Sequence, residues 1–188
     1  MYTHKKGDTL TGVKHTEGII MPKIIMNLEN KLIEEAKRQI LESGYGAVTI
    51  RSVAKGCGVG VGTVYNYFPS KDALLATYLL EDWNSCILSI RAVSTYSETA
   101  EPVLRCIYDQ LNAFASRHAS IFRDETAAAA FAGSFSRYHG MLRSQLAQPL
   151  EKFCAAKFDA EFISEALLNW TMAGKSFPEI YGILRKLF

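Results

Sequence analysis

Residues 49–71, TIRSVAKGCGVGVGTVYNYFPSK, constrain this chain more than any other stretch. Apolar side chains at Ile50, Val53, Ala54 and Cys57 recur at i, i+3, i+4 and i+7, the spacing of one helix face. Thr49 stands just before that face, where its hydroxyl can cap the first free backbone N–H groups. Arg51, Ser52 and Lys55 fall on the other side, toward solvent or phosphate. Ala54, Gly58 and Val64 then follow the A-x3-G-x5-V spacing of a helix-turn-helix, each for a steric reason. Ala54 lets a second helix cross closely, Gly58 accepts the positive φ of a tight reversal, and Val64 turns inward. The outer side of the second helix presents Thr63, Tyr65, Asn66 and Tyr67, a polar and aromatic set without charge. Such a helix lays its N-terminal residues against base edges in the major groove of DNA.

The run GVGVGTVYNYFPSKDALL, with its Tyr-x-Tyr-Phe-Pro-Ser-Lys core, resembles the DNA-binding domain of the TetR (tetracycline repressor) family, where GVSKGTLYHYFPSKEEL is typical. The close resemblance covers roughly residues 29–80; beyond it the similarity is one of helical architecture and length. It implies an all-α chain: a three-helix DNA-binding head with a helix-turn-helix, then a larger helical ligand-binding and dimerisation domain. It also implies that Thr49, Tyr67 and Lys71 occupy positions used for phosphates, and that Thr63, Tyr65 and Asn66 face the bases. Gly60 departs from the usual serine cap, and Val61 stands where lysine or another polar residue is frequent. A valine there loses a hydrogen-bond donor and suits a thymine methyl instead, so operator preference does not carry over from relatives.

Composition adds little to this. The 188 residues are 48% hydrophobic with a net charge of only +2, enough for a core and too little to suggest nucleic acid. Residues 1–75 carry 10 lysines and arginines against 7 acids, and the remainder 11 against 12, a weak asymmetry in the expected direction. Cys57, Cys86, Cys106 and Cys154 are widely spread in apolar helical contexts, the pattern of buried, reduced thiols in a cytoplasmic protein. No apolar run approaches the ~20 residues of a membrane span, and the N-terminus lacks the apolar core of a signal peptide.

Along the chain, residues 1–26 lack any period and read as a flexible extension, or as a basic arm (Lys5, Lys6, Lys14, Lys23) along DNA. Leu28, Leu32, Ile33, Ala36, Ile40 and Leu41 form a helical stripe from Leu28 to Ser43, with Gly44 as its stop. Tyr45 and Val48 are expected to cover that core. Pro69 closes the recognition helix and Ser70 caps a fourth helix through Leu74, Tyr78, Trp83 and Ile90. Lys71 at that N-terminus gains nothing from the helix dipole, which makes a phosphate its expected partner. Further helices follow: one from Pro102 to about Ala119, a short one around Ile121 and Phe122, and a long one from Ala127 to near Ala156. The long one is interrupted at Pro149. The segment 162–173 is another amphipathic helix, and Gly174 and Pro178 break it before a last one, EIYGILRKLF. The division is therefore 1–26 extension, 27–72 DNA-binding domain, 73–188 effector-binding and dimerisation domain.

The DNA-contacting set is Thr49, Arg51, Thr63, Tyr65, Asn66, Tyr67 and Lys71, with packing of Tyr65 or Tyr67 into the small core as the alternative. For a ligand, Trp83, Tyr108, Phe131, Phe135, Tyr138, His139 and Trp170 supply aromatic walls and a polar anchor, with His118 a second anchor; plain core packing is the alternative. Phe162, Ala166, Leu167, Trp170, Ala173, Tyr181, Leu184 and Leu187 offer an apolar surface for a homodimer, or else pack within the subunit. No nucleophile–base pair, acidic dyad, phosphate-cradling loop or metal spacing is present, and no cofactor is expected. The resulting expectation is a non-enzymatic, cytoplasmic transcriptional regulator, a repressor released from a palindromic double-stranded operator by a small apolar effector. The rival is a helical interaction protein whose DNA-binding head has decayed.

Overall fold

The computed structural model describes residues 27–186, the side chains of 128–137 excepted. The expected extension at 1–26, the dimer candidate Leu187 and the side chains of Phe131 and Phe135 lie outside the described residues. Nine α-helices are described: α1 (Leu28–Ser43), α2 (Ile50–Cys57), α3 (Val61–Tyr65), α4 (Lys71–Tyr96), α5 (Ala100–Arg117), α6 (Ala119–Phe122), α7 (Glu125–Ala147), α8 (Lys157–Met172) and α9 (Phe177–Leu184). Two 3-10 segments join them, Tyr45–Ala47 and Gln148–Phe153. No strand occurs among the described residues, and the all-α fold stands.

Helix α1 has the limits its periodicity sets, and buries Leu28, Leu32, Ile33, Ala36 and Ile40. Leu41 does not belong to that face: it is 64% exposed. One residue on from Ile40 the helix has turned by 100°, and no described residue covers that side. Gly44, at φ 79°, ends the helix and returns its N–H to the Ile40 carbonyl.

Two apolar cores organise the chain. The first gathers α1, Tyr45, Val48, α2, Val64 and Phe68, and continues through Leu74, Leu75 and Tyr78 of α4. It also takes in Ile121 and Ala127, so the segment that opens α7 is built into the same core as the head. The second is made by Trp83, Ile87 and Ile90 of α4 with α5, α7, α8 and α9. Helix α4 therefore belongs to both cores, its first two turns in one and its later turns in the other. Ser70 caps it, accepting the Ala73 N–H at 3.0 Å.

Several limits differ from the sequence expectations. Helix α5 ends at Arg117 and α6 begins two residues later. Helix α7 stops at Ala147, because Pro149 cannot continue an α-helical ladder and instead opens a 3-10 turn. Helix α8 starts at Lys157, five residues before the apolar segment, with the Asp159 carboxylate accepting the Ala156 N–H at 2.9 Å. Pro178 lies inside the first turn of α9 rather than before it, where its missing N–H costs nothing. The four cysteines are free; only Cys86 is fully buried, and burial raises every one of the four thiols above its usual pKa.

Candidate nucleic-acid interface

The local chemistry of 49–71 explains how α3 is presented. Thr49 and Ser52 cap α2 reciprocally, each side-chain oxygen accepting the other's backbone N–H at 3.0 Å. Gly58 turns the chain at φ 66°, ψ 32°, a left-handed conformation that glycine adopts without a Cβ clash. Gly60 then begins α3 with no side chain to cap it.

On the inner side of this turn Val64 is fully buried and Phe68 nearly so, an i, i+4 pair locked into the head core. That lock settles the azimuth of everything between them. Tyr65 is 53% exposed, Tyr67 45%, and Asn66 is exposed as well. The alternative of either tyrosine filling the small core is excluded by this geometry. Arg51 on α2 and Thr49 just before it are exposed, although the Thr49 hydroxyl oxygen already serves the helix cap. Thr63 is half-buried.

Lys71 has a different setting from the one its position suggests. Its ammonium donates to the Tyr45 carbonyl at 3.1 Å and lies 3.7 Å from the centre of the Tyr45 ring. The Tyr45 hydroxyl donates to the Asp72 carboxylate. Asp124 lies nearby, its carboxylate held below the usual range by N–H groups of Ala127, Thr126 and Gly46 and by the Lys71 charge. Lysine here is a joint between the α1–α2 connection, the start of α4 and the start of α7. The sequence missed this because the internal partner is a carbonyl 26 residues earlier in the chain.

The residues proposed for a ligand occupy separate neighbourhoods. Trp83 is in the second core, where its indole N–H donates to Gln145 at 2.6 Å and its ring meets Phe114 edge-on. Tyr108 turns toward α9, its hydroxyl donating to the Lys175 carbonyl at 3.2 Å and its ring against Phe177. Tyr138 is partly exposed on α7, and His139 pairs with Glu165 of α8 at 3.4 Å. Trp170 is 53% exposed and lines a surface groove of about 300 Å³ on α8 and α9, with Phe162, Ala166 and Ile183. The helical period had placed Trp170 correctly on a face; only the packing decides that this face is external. Of the dimer candidates, Phe162, Ala166, Trp170 and Leu184 border that groove, whereas Leu167 is fully buried within the subunit.

His118 is fully buried at the junction of α5 and α6. Its Nε2 meets the Asp82 carboxylate of α4 at 2.7 Å, and its ring packs edge-on against Tyr78 and Phe114. Its Nδ1 is buried with no hydrogen-bond partner. Burial pushes this imidazole below its usual pKa, with Asp82 opposing the effect. A histidine with a depressed folded pKa takes up its proton more readily when unfolded. Stability is therefore expected to fall as pH drops below about 6.5, the unfolded value, toward the folded pKa. Urea midpoints at pH 7.5 and 5.5 should separate in the wild type and converge in His118→Gln; equal separation in both proteins would assign the effect elsewhere.

The comparisons with known proteins agree with the head. A family model described as bacterial regulatory proteins, tetR family, matches residues 32–78. Over 77 residues, 41% of this chain, the sequence is 30% identical to the uncharacterized HTH-type transcriptional regulator YuxN of Bacillus subtilis. The match spans about a quarter of that relative's length, 26%. Among solved structures, the multidrug binding protein EbrR complexed with imidazole superposes with a TM-score of 0.60 at 14% identity, covering 85% of this chain and 94% of its own. Thermus thermophilus FadR, a TetR family transcriptional repressor in complex with lauroyl-CoA, gives 0.57 at 20% identity, with 85% and 92% covered. At these identities the structural likeness speaks for the fold. With a helix-turn-helix head of this geometry and a matching family model across it, residues 32–78 of the chain are similar to the tetR family of bacterial regulatory proteins.

Proposed function

We propose that the chain is a ligand-responsive transcriptional regulator that binds a palindromic double-stranded DNA operator as a homodimer, and that it represses until a small apolar effector releases it. The observation that carries this reading is the outward face of α3: Tyr65 and Asn66 stand exposed because Val64 and Phe68 hold the helix from the other side. In this reading Thr63, Tyr65 and Asn66 contact base edges, while Thr49, Arg51 and Tyr67 contact phosphates. Lys71 contributes to phosphate binding through the N–H groups it does not give to Tyr45. The functional division runs near residue 72, although the apolar packing of the head continues to Tyr78. No described helix is long and apolar enough to cross a membrane, and an operator-binding protein works in the cytoplasm, where its DNA is.

Helices α8 and α9 carry the dimer through the exposed apolar line Phe162, Trp170 and Ile183. The effector is placed in the body between α4, α5, α7 and α8, around the second core; that Thermus FadR, similar in fold, was solved in complex with lauroyl-CoA supports a ligand here by analogy. The residues offered for it are Trp83, Tyr108, Phe131, Phe135, Tyr138 and His139, with Trp170 reassigned to the dimer face. Since α4 belongs to both cores, an effector that favours one arrangement of the body shifts the population of head orientations.

Selection of duplexes from a random library by the full-length protein tests this reading. Binding of a selected duplex should weaken steeply with salt, and Arg51→Gln should lower the log–log slope by about 0.9 per lost phosphate contact. Asn66→Ala should cost at least about tenfold on the selected duplex and relax the preference at one base pair of each half-site. Failure to enrich any duplex, or an Asn66→Ala protein with unchanged preference, overturns the assignment.

A further inference from the structure

Gly62 is the one interior residue of α3 without a side chain, and nothing among the described residues asks for that. Among the described residues the glycines with positive φ are Gly44, Gly58 and Gly174, and Gly62 is not one of them. A Cβ built on Gly56 would run into Glu35, but one built on Gly62 would meet no atom within 4 Å. The residue is exposed, and it occupies the second position of a helix only five residues long. Glycine weakens a helix relative to alanine through its backbone entropy, and a helix this short has few other bonds to compensate. Gly140 and Gly182 are equally open, but they lie on α7 and α9, whereas Gly62 is beside Tyr65 and Asn66 on the proposed reading face.

We infer that the space left at Gly62 is filled by DNA: the bare backbone of α3 rests against the wall of the major groove, and the absent Cβ sets how deeply the helix enters. Gly62 is on this account a positioning residue, one that allows Tyr65 and Asn66 to reach base edges from a short helix that has no long basic side chains. The inference rests on the DNA-binding reading above and names the contact that fixes its depth. It also explains why Val61, partly buried against the head core, is compatible with reading DNA: depth, rather than reach, brings the helix to the bases.

Gly62→Ala separates folding from binding, because the added methyl group enters open space in the free protein. The full-length variant should melt at or above the wild-type temperature, by up to about 2–4 °C. Its affinity for the duplex selected by the wild type should nevertheless fall at least about tenfold, the equivalent of one lost base contact. If the wild type binds that duplex and Gly62→Ala binds it within about threefold, the inference on Gly62 is wrong and the DNA-binding reading stands. If the wild type enriches no duplex at all, that reading fails first and this one with it. A variant that melts below the wild type contradicts the premise that the position is open.

Discussion

Phe162→Asp is expected to split the protein into monomers and to weaken operator binding by about 10²–10⁴-fold, the factor lost when a second half-site contact ceases to be intramolecular. Phe162 is 53% exposed, at the edge of the α8–α9 groove with Trp170 and Ile183. A carboxylate there would put an unpaired charge into the proposed apolar interface, which an interface core does not tolerate. Within a single subunit the same substitution is mild, because the side chain already meets solvent. The affinity of the isolated monomer for a single half-site should therefore stay close to that of a wild-type subunit, and its melting temperature should fall only by the stabilisation that dimerisation supplied. Sedimentation equilibrium and titration of the selected duplex measure both parts. A variant that remains dimeric and binds as tightly as the wild type places the dimer on another surface.

Leu104→Ala carries the largest expected effect on stability. Leu104 is fully buried in α5, inside the core shared by Trp83, Leu146, Leu150, Ile163 and Leu167. Removing a leucine side chain from such a site costs about 2–5 kcal/mol, the transfer term plus the cavity left behind. That is a large share of the ~5–15 kcal/mol by which a folded chain is stable. Chemical denaturation followed by circular dichroism should show a lower midpoint. A loss under about 1 kcal/mol would mean that the core collapses around the gap, and that the second core is less tightly organised than its burial indicates.

Some of this molecule was legible in the sequence for reasons that are local. The stripe from Leu28 to Ile40, the Thr49 cap, the left-handed Gly58, the inward Val64 and the Ser70 cap are short-range steric and hydrogen-bond requirements, and all are met as the spacing implied. Periodicity also found α5, with Val103, Ile107 and Leu111 all buried. What escaped the sequence depends on partners distant along the chain. Leu41 continues an apolar stripe but no described residue covers it, Leu167 from the same apolar segment as Trp170 turns into the subunit, and Lys71 finds a carbonyl across the head. The His118–Asp82 pair, 36 residues apart, carries no sequence signature at all. Spacing supplies the phase of each helix, and only packing supplies what that phase points toward.

For the candidate DNA interface the same distinction sorts the residues. Tyr65 and Asn66 followed from the inward Val64, since one face of a short helix fixes the other. Thr49 was legible as a cap, and the cap is what its hydroxyl oxygen does in the free protein. The joint formed by Lys71, Tyr45, Asp72 and Asp124 belongs to the three-dimensional fold and ties the opening of α7 to the head.

Hydroxyl-radical footprinting of the full-length protein on its selected duplex tests the central claim most directly. Two copies of α3 in successive major grooves predict two protected patches related by a two-fold axis, centred one helical turn apart or a multiple of it, about 10–10.5 bp per turn. Loss of both patches is expected when Tyr65 and Asn66 are replaced together by alanine. Protection that persists unchanged in that double variant would contradict the account, because the DNA would then be held by some other surface.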